Sequence, residues 1–149
     1  GQACAEQLKA RTFEAAFQSL ETFQLDPQVE PVEGEARRQF DDSVQRNLNE
    51  IAAEVGLRFR LDAEATQQAA LKAWTRHMNH ARYDEAGALQ KRHRLPLRML
   101  RPAAKRVYNY CLGQGYHDVA VRLRQEYQLE VGFWATLLEW LRRLFAWWS

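Results

Sequence analysis

The sequence predicts an all-α protein of about seven helices, arranged as consecutive antiparallel hairpins, either solenoid-like or as an orthogonal bundle. Three observations carry this. Apolar residues recur at steps of three and four over most of the chain, which is the period of an amphipathic helix. Seven glycines and four prolines in 149 residues leave room for few tight turns. Strand-like alternation is confined to LRFRL, residues 57–61, which has no convincing partner strand and reads as an extended connector. At 46% apolar and 27% charged, the chain reads as globular and long enough to bury a core as one domain over 1–149 without metal or disulfide staples.

The elements follow in order. Phe13, Phe17, Leu20 and Phe23 share one face of a first helix. DPQVEPVEGE, residues 26–35, holds two prolines and a glycine and reads as a loop. Phe40, Val44, Leu48, Ile51 and Val55 predict one long amphipathic helix from Glu35 that stops near Gly56, a natural C-cap. Asp62 is placed to cap the next helix, with Glu64 favourable in its first turn. That helix is expected to bury Ala70, Ala73, Trp74, His77 and Met78. Another covers about 84–94 and ends before Pro96. Pro102 suits a first helical turn, opening a helix with Val107, Tyr108, Cys111 and Leu112 on its apolar side. GQGY precedes a helix over about 117–129, and 132–149 forms a Trp-rich amphipathic helix.

A weak internal echo occurs at a spacing of 34. Trp74 maps to Tyr108, Met78 to Leu112, Ala86 to Ala120, Leu89 to Leu123 and Leu95 to Leu129, and Phe40, Val44, Ala52, Val55 and Leu61 fill the same slots one unit earlier. The shared pattern is helix, tight turn, helix, with a small residue where the two pack. ARYDEA (81–86) and GQGYHDVA (113–120) resemble the turn of a tetratricopeptide hairpin, over about half the chain. The resemblance implies hairpin geometry and protein binding. Trp74 and Tyr108 stand where that family prefers a small residue on the first helix. Gln90 and Arg124 stand where its second helix is apolar.

The catalytic motifs of hydrolases, zinc proteases and nucleotide enzymes are missing from the sequence, so no enzyme and no cofactor is expected. His77 and His80 are one turn apart without a third ligand at a helical offset, so no metal site is expected either. Cys4 and Cys111 form no CxxC pair and read as two small buried thiols; a disulfide between them would require an oxidising compartment. GQACAEQLKAR lacks a basic region followed by an apolar stretch, so no signal peptide is read there. Compartment stays open, the cytoplasm being favoured over a periplasmic or membrane-associated location.

The net charge of +2 conceals a gradient. Residues 1–71 carry 7 Lys/Arg against 13 Asp/Glu, while 72–106 carry 10 against 2. KRHRLPLRMLRPAAKR concentrates Lys91, Arg92, Arg94, Arg98, Arg101, Lys105 and Arg106. Such a patch suits phosphates, an acidic protein, or the chain's own acidic half. Base-reading side chains are sparse there, which places nucleic acid behind protein as a partner.

The tail FWATLLEWLRRLFAWWS holds four of the five tryptophans. On a helical wheel Trp134, Leu137, Leu138, Leu141, Leu144, Phe145 and Trp148 form one apolar arc, which Phe133, Trp140 and Trp147 widen. Ala135, Thr136, Glu139, Arg142, Arg143 and Ala146 take the other side. Packing this arc on the preceding hairpins is the plainest use for it, although the flanking indoles are hard to cover that way. The expected function is a non-catalytic protein–protein interaction or adaptor module contacting another protein, or a second copy, through this arc. A peripheral membrane protein docked by the same helix is the alternative, and AWWS would also suit the entry to a spanning segment. A nucleic-acid-binding domain using 91–106 comes third.

Overall fold

The computed structural model describes residues 32–130 and 132–148, the side chains of 133–135 excepted. Among these residues there are seven helices and no strand: α1 (Val32–Gln45), α2 (Asn49–Arg58), α3 (Ala63–Asn79), α4 (Tyr83–His93), α5 (Leu97–Gly113), α6 (His117–Glu126) and α7 (Phe133–Trp148). The expected helix over 13–23, Cys4 and the loop up to residue 31 lie outside the described residues. The chain divides into two compact units, Gly1–Leu95 and Pro96–Ser149.

In the first unit α1 packs on α2, α2 on α3 and α3 on α4. Phe40, Val55, Phe59, Trp74 and Met78 fill its core, and Ala52 and Ala86 are fully buried where helices approach closely. In the second unit α5 packs on α6, around Leu100, Val107, Tyr108, Cys111, Leu123 and Tyr127, with Ala120 fully buried.

Tight, repeated helix ends produce these hairpins. Asn47, Ala81 and Gly115 have φ of 59°, 57° and 81°, and Arg60, Arg94 and Gln128 have φ of 51°, 50° and 50°. Within each set the interval is 34 residues. Each left-handed residue is followed by one whose amide reaches back five residues. Leu48, Arg82 and Tyr116 donate to the carbonyls of Ser43, His77 and Cys111, and Leu61, Leu95 and Leu129 to those of Gly56, Gln90 and Arg124. This is the Schellman closure, which satisfies carbonyls that a helix end leaves open. An L side chain in this region costs about 1–2 kcal/mol relative to right-handed backbone. Ala81→Gly is therefore expected to stabilise the protein by about 0.5–1 kcal/mol and Gly115→Ala to destabilise it by a similar amount. A urea midpoint moving in opposite directions for the two variants checks this, and nothing within 3.9 Å of a Cβ on Gly115 confuses the reading with a clash.

Several boundaries differ from the sequence expectation. Val32–Glu35 belong to α1 and not to a loop. The long helix from Glu35 is two helices, interrupted at Arg46–Leu48, because Asn47 tolerates the left-handed region and the turn preserves the apolar phase. Val44, Leu48 and Ile51 are consequently exposed rather than in the core. Gly56 is no cap but lies inside α2, where a Cβ would come within 2.2 Å of Thr66 Oγ1; it is the point at which α2 and α3 touch. LRFRL is not extended: Leu57 and Arg58 end α2, Phe59 is its buried cap and Arg60 turns the chain. Pro102 sits within α5, five residues past its start, on the exposed side where the missing backbone bond is least costly. Asp62 caps α3 as its position suggests, accepting from the Ala65 amide at 2.7 Å.

Candidate functional site

The feature that sets the second unit apart is the seat of α7. Tyr108 is buried on α5, and its hydroxyl donates to Glu139 Oε1 at 2.8 Å. The other carboxylate oxygen, Oε2, lies 3.0 Å from Arg124 Nη1 on α6. One turn further on, Arg142 donates to His117 Nδ1 at 3.1 Å. Glu139 is only 7% exposed. Buried without a partner this carboxylate would be costly, and the phenol and guanidinium together satisfy it. Burial, and then the hydrogen bond to Glu139, push the Tyr108 phenol up to about 12, so it stays a neutral donor throughout the ordinary pH range.

Helical geometry dictates the rest. Glu139 lies opposite the middle of the apolar arc at about 100° per residue, so seating the carboxylate turns the flanks and the C-terminal part of the arc outward. Leu138, Trp140 and Leu144 are exposed, Phe145 is 72% exposed, and Trp147 and Trp148 are 86% and 85% exposed. Leu137 and Leu141 are half-buried. Trp134 shares the register of the arc on α7. A shallow apolar cleft of about 130 Å³, lined by Leu112, His117, Leu138, Glu139 and Arg142, runs beside the seat.

The basic residues take other places. Lys91 and Arg92 lie in the last turn of α4, and Arg94 is its left-handed cap, positions where cations complement the helix dipole. Arg98, Arg101, Lys105 and Arg106 lie along α5 in the other unit. All seven are exposed. Two of them are engaged within the chain: Arg92 pairs with Glu54 at 2.6 Å, and Arg101 donates to the Tyr127 carbonyl and to Gln128 Oε1 at 3.4 and 3.2 Å, closing the end of α6. Burial alone would push the Glu54 carboxyl up; hydrogen bonds from Arg92 and Arg58 outweigh it and hold the group below its ordinary value. Attraction between the basic segment and the acidic half therefore has a concrete instance among the described residues.

A cleft of about 350 Å³ with a mixed polar and apolar lining opens in the first unit beside the α1–α2 turn, bordered by Asn47, Leu48, Ile51, Arg76, His80 and Arg82. His77 reaches across to Glu50 Oε2 at 3.0 Å, and His80 Nδ1 lies 2.8 Å from the Arg76 carbonyl. Among the described residues no group of His, Cys, Asp and Glu could hold a metal.

Sequence reasoning placed Glu139 on the outer side of the tail and missed its seat. The signal was Arg124, a cation in a slot where a hairpin repeat carries an apolar residue. Such a residue calls for an acidic partner from elsewhere in the fold. Compared with known proteins, the chain matches no family model, no curated protein and no solved structure.

Proposed function

We propose that this chain is a non-catalytic helical interaction module of the adaptor type, a scaffold of tetratricopeptide-like hairpins that docks through the outward face of α7. One observation carries the reading: α7 is held by its carboxylate, and the indoles of Trp140, Trp147 and Trp148 are left in water. Trp140, Phe145, Trp147 and Trp148 are each more than half exposed. At 150–250 Å² per aromatic side chain they offer on the order of 500 Å², as much as the largest patch of an ordinary monomer. Covering that area is worth up to about 12 kcal/mol before association costs, far more than the seat itself. The 34-residue interval of left-handed helix ends and the buried Ala52, Ala86 and Ala120 support the repeat reading of the scaffold.

The contact surface is tested by ranking substitutions. Association of the chain with itself, a protein or a lipid surface, followed by light scattering or sedimentation, is expected to weaken more than tenfold on Leu144→Glu. That is the loss of roughly one buried leucine, at 1.4 kcal/mol per tenfold. It is expected to stay within twofold on Arg94→Glu or Lys105→Glu. The reverse ranking would move the contact to the basic segment and refute the reading.

A further inference from the structure

Resting on that docking reading, we infer that the body covered by α7 is a lipid bilayer surface carrying anionic headgroups, with α7 lying in its plane. The width of the apolar face supports this first. At about 100° per residue, the exposed Trp147, Trp140, Leu144, Trp148, Phe145 and Leu138 span about 180° of the helix, with the half-buried Leu137 and Leu141 between them. One partner helix covers a stripe of about 100° and would leave indoles in water on both flanks. A plane covers half a cylinder completely.

Charge is the second support. The outward half of α7 carries no charged residue. The helix's one carboxylate is sealed against Tyr108 and Arg124, so the charges α7 presents outside are Arg142 and Arg143, both exposed. Cations at the waterline beside tryptophans complement anionic headgroups, and amphipathic helices of this composition lie in the interface. No helix among the described residues is long and apolar enough to cross a membrane. The protein side of the sandwich is already built, since α7 is fastened to α5 and α6 through its polar face. A surface helix of an ordinary globular protein is mounted the other way round.

The experiment mixes the 149-residue chain with phosphatidylcholine vesicles, with and without phosphatidylserine, and follows co-sedimentation, indole emission and acrylamide quenching. The expected result is a blue-shifted, quench-protected emission on the phosphatidylserine vesicles. Binding there should be about fivefold tighter than to phosphatidylcholine alone, an effect that Arg143→Glu should reverse. Trp147→Ala/Trp148→Ala should lower it more than tenfold without altering the fold, because both indoles are outside the core; circular dichroism verifies this. Quenchable indoles with no vesicle binding would overturn the lipid inference while leaving the docking face intact. Self-association relieved by Leu144→Glu, without vesicle binding, would overturn it in favour of a second copy. Tail indoles already shielded in the free monomer would overturn the docking reading as well.

Discussion

Glu139→Ala is expected to unseat α7 while leaving the hairpins folded. The substitution removes the acceptor of the buried Tyr108 hydroxyl and the partner of Arg124. Stranding a buried hydrogen-bonding group costs about 1–3 kcal/mol, and breaking a largely buried ion pair costs about 3–5. Arg124 retains some access to water, which puts the loss at the lower end, about 2–3 kcal/mol. Amide exchange over 133–148 should therefore accelerate by about 30- to 150-fold, with exchange in α5 and α6 nearly unchanged. Glu139→Gln keeps an acceptor for the phenol but loses the charge that pairs with Arg124, so it should fall between the two. Unchanged exchange in the alanine variant would mean that something other than the carboxylate holds the helix.

The same seat has a pH dependence with a definite sign. Tyr108 is raised to about 12 from its ordinary value near 10, so the fold favours the neutral phenol. Its contribution is complete below pH 10 and is lost as the pH rises from 10 to 12. Tyr108→Phe should abolish that alkaline loss, observable as a protection factor over α7, the exchange rate of the unstructured chain divided by that observed at the same pH, that no longer falls over this range.

Gly56→Ala is the second large effect, and its sign is informative. Helix propensity alone predicts that alanine at this position in the last turn of α2 stabilises the helix, by up to about 1 kcal/mol. The fold predicts the opposite. A Cβ at position 56 would meet Thr66 Oγ1 at 2.2 Å, Cγ2 at 2.9 Å and Cβ at 3.0 Å. Thr66 cannot swing away freely, since its hydroxyl donates to the Asp62 carbonyl at 2.7 Å. Separating α2 from α3 should cost about 2–3 kcal/mol and lower the melting temperature by about 5–10 °C. Adding Thr66→Ala removes the two nearest atoms. The double variant should accordingly be at least about 1 kcal/mol more stable than the sum of the single losses. A stabilised Gly56→Ala chain would show that the two helices do not meet there.

The failures of sequence reading share a cause. Val44, Leu48, Ile51 and Val55 advance by four, three and four, so periodicity runs unbroken through a turn that happens to keep phase. Only the backbone at Asn47 reveals it. The spacing echo was the better guide, since counting back twice by 34 from Gly115 of the GQG turn lands on Asn47. Gly56 was read as a stop because glycine so often ends helices. A glycine needed for close approach of two helices looks identical in one dimension, because the neighbour that requires it, Thr66, is identified only by the fold.

The sequence by itself determined the helical class, the cap at Asp62, the position of the small residues Ala52, Ala86 and Ala120, and the two-faced character of the tail. These follow from local periodicity and cap chemistry, which a chain carries along its length. Only the tertiary structure decided which face of α7 looks outward. Periodicity gives the phase of an apolar stripe but not what lies against it, and the ordinary presumption turns that stripe inward. Here Tyr108 on one helix and Arg124 on another converge on a single carboxylate. Their distance in sequence from Glu139 hides a contact that orients the whole helix.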